Sequence, residues 1–148
     1  MSQSEKLKVL FLCTGNSCRS QMAEGWARHL RGDEIDPCSA GIEIHGMNPD
    51  AVAVMAEAGV DITGQRSQLV DDFLDCGVEV VVTVCSHAAE TCPHFPAQAR
   101  KVHAPFDDPP RLAKTAATEE EALDHYRRVR DDIRRYITEL DVAALRPQ

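Results

Sequence analysis

The chain has 148 residues, 43% of them hydrophobic, which suits one compact domain, residues 1–148, around a single core. Its formal net charge of -8, from 24 acidic and 16 basic residues without a Lys/Arg cluster, sets most of the surface against a polyanion and argues against nucleic acid as a partner. No apolar stretch approaches the roughly 20 residues of a membrane span, and the start Met1-Ser2-Gln3-Ser4-Glu5-Lys6 lacks a secretory pattern, so the expected compartment is the cytoplasm.

Lys8–Leu12 reads as a short buried strand, and Ser20–Leu30 carries Met22, Trp26 and Leu30 at helical spacing. Between them lies Cys13-Thr14-Gly15-Asn16-Ser17-Cys18-Arg19. A loop joining a strand to a helix N-terminus turns its amides toward one point, where the helix dipole adds positive charge, so an anion is expected there. A Cys at the strand end sits in that field and is expected to act as a thiolate nucleophile. Arg19 offers a planar bidentate fork for a tetrahedral oxyanion, Gly15 lets the backbone approach it, and Ser20 is placed to give its hydroxyl to the sulfur.

Asp36–Ala40 is a weaker strand. Asn48-Pro49-Asp50 then supplies an N-cap, a first-turn proline and an early acid for a helix through Ala51–Ala58. Ser67–Leu74 reads as another short helix, Val78–Val84 as a central parallel strand, and Arg100–His103 as a last strand. Leu123, Tyr126, Val129, Ile133, Ile137 and Leu140 mark one face of a long C-terminal helix. This alternation predicts an α/β fold with a parallel sheet of about four strands, ligands gathering at the strands' carboxyl ends. Cys13 and Cys85 both fall at such ends.

The segment Cys13 to Trp26 resembles the Cys-x5-Arg-Ser phosphate loop of the low-molecular-weight tyrosine phosphatases and, more closely, of the arsenate reductases built on the same fold. The similarity continues through Ser39-Ala40-Gly41, Cys85 to Pro93 and Phe106-Asp107-Asp108-Pro109, leaving unmatched the first residues, an insertion near Leu112–Glu119 and the tail after Leu140. The resemblance implies a three-layer sandwich with a four-stranded parallel sheet and an oxyanion-binding loop formed by Thr14, Gly15, Asn16, Ser17, Cys18 and Arg19. It gives Asp108, immediately before Pro109, the role of protonating the leaving oxygen.

Cys85 and Cys92 separate the two enzyme classes. A phosphatase regenerates its single thiol by hydrolysis, whereas reducing As(V) to As(III) takes two electrons, which a pair of cysteines supplies by forming a disulfide. The expected activity is therefore arsenate reduction: Cys13 attacks arsenate, Cys85 attacks Cys13, and Cys92 attacks Cys85. The final Cys85–Cys92 disulfide is reduced by thioredoxin or a glutaredoxin-like protein. No cofactor is called for. The alternative is a phosphotyrosine or phosphomonoester phosphatase, although Pro109-Pro110-Arg111 lacks the aromatic residues of the phosphotyrosine pocket. A third class, a metal or redox sensor, has no need of Arg19 or Asp108.

A zinc site from Cys85, His87, Cys92 and His94 is disfavoured because ligands two residues apart diverge on most backbones, so no metal is expected there. Some members of the resembling family bind potassium beside the loop. The matching positions are Asn16, Glu24, Ser39 and Gln68, but Gln68 replaces a carboxylate and argues against a tight site. Cys18, Cys38 and Cys76 read as core or near-surface thiols, the last at the end of a helix. His29, His45, His103 and His125 are assigned no chemistry.

Overall fold

The computed structural model describes residues 6–86, 88 and 99–146. Four parallel strands, β1 (Leu7–Cys13), β2 (Ile35–Gly41), β3 (Val80–Thr83) and β4 (Arg100–His103), lie in the order β2-β1-β3-β4. β1 is central because its apolar run can be buried on both faces: six of its seven residues are buried, as are all four of β3. Flanking the sheet are α1 (Arg19–Arg31), α2 (Pro49–Glu57), α3 (Pro109–Ala113), α4 (Glu119–Thr138) and α5 (Val142–Leu145). This is the expected α/β arrangement of a four-stranded parallel sheet covered by helices. Among the described residues, no helix is long and apolar enough to cross a membrane.

The core joins Leu7, Leu10, Phe11 and Leu12 of β1 to Met22 and Trp26 of α1 and Ile133 and Ile137 of α4. Trp26 fixes α1 against α4 by more than area. Its indole N–H donates to Arg130 O at 3.2 Å, and the Arg134 guanidinium stands 5.3 Å above the ring. Asn48 caps α2 as its position before Pro49 predicts, accepting from the amides of Asp50 and Ala51.

Two expected elements differ. Ser67–Leu74 forms only a single 3-10 turn at Val70–Phe73. The backbone just before it is already used: Gln68 N–H donates to Asn16 Oδ1, Gln68 O accepts from Gly41, and Leu69 bridges Gly41. Tertiary bonds to the Cys13–Arg19 loop therefore override a helical pattern. Cys76 is consequently not at a helix end; it is exposed beyond the turn, its thiol donating to Asp72 O. Of Val78–Val84, only Val80–Thr83 are strand. The insertion and the tail hold α3, the Thr118 N-cap of α4, and α5, which is capped by Asp141.

Candidate active site

Register brings the two cysteine-bearing strand ends together. β1 and β3 pair with Leu12 opposite Thr83, and Val84 N–H donates to Leu12 O, so Cys13 and Cys85 leave the sheet on the same edge. Both thiols are buried. Thr14 Oγ1, on the first residue of the loop, stands 3.4 Å from Cys85 Sγ, and Ala88 N–H donates to that sulfur at 3.4 Å. Cys92 lies outside the described residues, as do His87 and His94 of the zinc reading.

The loop is shaped by Asn16, whose φ of 49° places it in the left-handed region that Asn tolerates better than most side chains. Asn16 is fully buried, and its side chain ties the loop in two directions: Oδ1 accepts from Gln68 N–H at 2.7 Å, and Nδ2 donates to Ser20 Oγ at 2.8 Å. With its oxygen accepting from Asn16, the Ser20 hydroxyl has its own proton to direct at Cys13 Sγ, 2.9 Å away. The α1 N-cap is Cys18, which makes no side-chain cap bond, and the first turn carries no acidic residue. Uncapped amides at a helix N-terminus are groups to which an anion can bind.

From the outside, the loop is braced by residues 41–46. Ile42, Glu43 and His45 donate their amides to the carbonyls of Cys13, Thr14 and Gly15. Gly15 is required by this close approach, since a Cβ there would fall 2.1 Å from His45 Nδ1. Ser67 Oγ lies 3.0 Å from Gly15 O and 2.8 Å from Asn16 O. The resulting pocket, about 330 Å³, is lined by Cys13, Thr14, Gly15, Ser17, Cys18, Arg19, His45, Asn48, Asp108 and Pro110. A neighbouring groove of about 500 Å³ shares Thr14, Arg19 and Asp108 and extends to Cys85 and Arg111.

Arg19 is held in place by donating Nη1–H to Phe106 O at 2.9 Å, while Nη2 lies 3.6 Å from Asp108 Oδ1. The two adjacent acids take different places. Asp107 pairs with Arg128 on the surface at 3.0 Å, whereas Asp108, fixed in extended backbone before Pro109, leaves its carboxyl uninvolved in capping α3 and lining the pocket. Burial, and next the neighbouring Cys13, pushes the Cys18 thiol far up, and burial pushes that of Cys38 up to about 12. Both are inert as thiolates near neutral pH.

The potassium positions do come together, but their donor set does not suit a cation. Glu24 is already satisfied: Oε1 accepts from Ser39 Oγ at 2.6 Å and Oε2 from the Arg28 guanidinium at 2.6 Å. The Gln68 amide presents an N–H to Ser39 O at 3.4 Å. An internal guanidinium and an amide donor thus stand where a cation needs anionic oxygen.

Sequence reasoning gave no part to His45 or to the Phe106 carbonyl, and it read Asn48 only as a cap. Asn48 also ties α2 to the loop, donating its amide to Ser17 O and Nδ2–H to Tyr126 Oη at 3.1 Å. None of these contacts has a local signature, because each joins segments distant in sequence.

The family profile of the low molecular weight phosphotyrosine protein phosphatases matches residues 8–147. The chain belongs to this family. Within it, the chain is 53% identical over 128 residues to the arsenate reductase of Halalkalibacterium halodurans, covering 86% of this chain and 90% of that protein. It is 50% identical over 125 residues to the arsenate reductase of Bacillus subtilis strain 168, covering 84% and 88%. A solved structure of an arsenate reductase in the phosphate binding state superposes with a TM-score of 0.77 at 32% identity, covering 94% of this chain and 98% of that one. A chain of the phosphatase family is thus similar along most of its length to proteins named as arsenate reductases.

Proposed function

We propose that this member of the low molecular weight phosphatase family reduces arsenate to arsenite, drawing electrons from thioredoxin through Cys13, Cys85 and Cys92. The observation that carries the reading is the second buried thiol, Cys85, beside the first residue of the anion loop, a group that hydrolysis does not need. Similarity to arsenate reductases at 53% and 50% identity supports it.

In this reading the loop amides and Arg19 hold arsenate, and the Cys13 thiolate forms an S–As bond while Asp108 protonates the departing oxygen, which leaves as water. Cys85 then attacks the Cys13 sulfur. The S–As bond breaks with its electron pair passing to arsenic, arsenite departs, and a Cys13–Cys85 disulfide remains. Attack by Cys92 on Cys85 frees Cys13 and leaves a Cys85–Cys92 disulfide for the external dithiol.

The test measures arsenite formation with thioredoxin, thioredoxin reductase and NADPH beside hydrolysis of an aryl phosphate. Cys85→Ser is expected to block arsenite release with the adduct held on Cys13. Cys92→Ser should allow one turnover and stall as a Cys13–Cys85 disulfide, and neither should harm aryl phosphate hydrolysis. Sustained arsenate turnover by Cys85→Ser refutes the relay.

A further inference from the structure

Gln21, on the first turn of α1, is a wholly buried polar side chain that no step of the proposed chemistry uses. Its orientation is settled by its partners. Arg28 Nη1 donates to Gln65 Oε1 at 3.0 Å, and since a guanidinium only donates, the Gln65 amide turns its nitrogen the other way, where Nε2 donates to Gln21 Oε1 at 2.8 Å. The nitrogen of Gln21 is thereby turned to two carbonyls, Arg66 O and Asn16 O, each 3.0 Å away. The second belongs to the Cys13–Arg19 loop. In that loop the carbonyls of Cys13, Thr14, Gly15 and Ser17 accept from backbone amides between Ile42 and Asn48. That of Asn16 has no backbone donor among the described residues; two side chains hold it instead, Gln21 Nε2 and, at 2.8 Å, Ser67 Oγ.

We propose that Gln21 and Ser67 are positioning residues of the oxyanion site, holding the Asn16–Ser17 peptide so that the Ser17 amide faces the pocket. The inference rests on the reading of the Cys13–Arg19 loop as an oxyanion site. In a planar trans peptide the N–H points opposite to the C=O. Drawing Asn16 O toward the Gln21 and Ser67 side chains therefore directs the Ser17 N–H to the other side, and Ser17 lines the pocket with Cys13 and Arg19. The peptide needs such a hold because Asn16, with φ of 49°, occupies a region where a side chain other than glycine persists only when its surroundings fix it. Gln21 is itself fixed by Gln65, so the Ser17 dipole is aimed before an anion arrives and need not reorganise to meet it.

The test follows the backbone amide resonances of the isotope-labelled protein during titration with inorganic phosphate at fixed pH. In the wild type, saturation should move the Gly15, Ser17 and Cys18 amide protons downfield as they donate to the anion. Gln21→Met fills the same space without a donor. It should cut the Ser17 displacement by about half or more and weaken phosphate binding about tenfold, the scale of one hydrogen bond to a charged group. Gly15 and Cys18, whose preceding carbonyls keep the amides of Glu43 and Asn48, should respond as before. Ile133→Val, a core change that lowers the melting temperature without touching the loop, should leave these amides and the affinity unaltered. Ser67→Ala removes the other donor to Asn16 O and should diminish the Ser17 response in the same sense. An unchanged Ser17 response in Gln21→Met, or an equal loss at Gly15 and Cys18, overturns the proposal; where that variant does not fold, an unchanged Ser17 response in Ser67→Ala does so. Phosphate that moves none of these amides in the wild type, or binds Arg19→Ala as tightly, overturns instead the reading of the loop, so the two failures are distinguishable.

Discussion

Ser20→Ala isolates one hydrogen bond at the centre of the site. The Ser20 hydroxyl is wholly buried, 2.9 Å from Cys13 Sγ, and receives Asn16 Nδ2–H on its own oxygen. Its deletion removes the hydroxyl that faces the Cys13 sulfur and leaves the Asn16 N–H without its acceptor. A hydrogen bond to a charged group contributes about 1.5–3 kcal/mol, which corresponds to a loss of about 10- to 150-fold in a step that depends on the stabilised thiolate. The orphaned Asn16 amide costs a further 1–3 kcal/mol or so of stability, which for a domain of this size is a fall of a few degrees in Tm. The assay is the rate of iodoacetamide alkylation at Cys13 near neutral pH, followed by mass mapping of the Cys13 peptide so that the other thiols do not contribute, with Tm measured alongside. A variant that melts lower but alkylates at the wild-type rate would refute the argument, because Ser20 would then hold the loop without acting on the sulfur.

Three further outcomes are expected. Cys13→Ser should abolish arsenate reduction and aryl phosphate hydrolysis together, measured side by side, since a hydroxyl can neither attack as a thiolate nor be oxidised. Arg19→Lys should keep the fold yet lower kcat/KM for arsenate by about 100-fold or more, the scale of losing a preorganised oxyanion donor, and near-normal kcat/KM would reduce Arg19 to a structural tie to Phe106 O. Replacing KCl with NaCl at constant ionic strength should leave Tm and turnover unchanged, because Arg28 already neutralises Glu24; Tm should become potassium-dependent in a Gln68→Asp/Arg28→Ala double variant.

The sequence makes the sheet and the loop readable because their signals are local. The apolar runs of β1 and β3 and the cap at Asn48 each lie within a few residues, and the Cys-x5-Arg spacing needs only a strand before it and a helix after. The element that failed to appear is one whose backbone is claimed from elsewhere. Ser67–Leu74 has the composition of a helix, but the buried polar groups of Asn16 and the strand end at Gly41 take its first amides and carbonyls. The same distance in sequence hid His45, which is separated from Gly15 by the whole of α1 and β2 and meets it only when residues 41–46 fold back along the loop. The choice between Asp107 and Asp108 came from resemblance alone; in the structure Asp107 pairs with Arg128 and Asp108 lies beside Arg19.

Under the proposed function an acidic chain has to capture a multiply charged anion locally, and the pocket offers it little side-chain charge. The net charge of -8 repels the ligand at long range, and Arg19, the cation in the pocket, is shared with Asp108. What remains is fixed geometry: loop amides and the uncapped α1 N-terminus, held by Asn16, Ser67 and the amides of residues 42–45. Preorganised dipoles of this kind need no reorganisation when charge develops on the ligand. The second buried thiol, that of Cys85, stands against Thr14 at the start of the loop. Parallel pairing of β1 with β3 is what permits this, because it brings two cysteine-ended strands out on one sheet edge, where Thr14 Oγ1 and the Ala88 N–H meet the second sulfur.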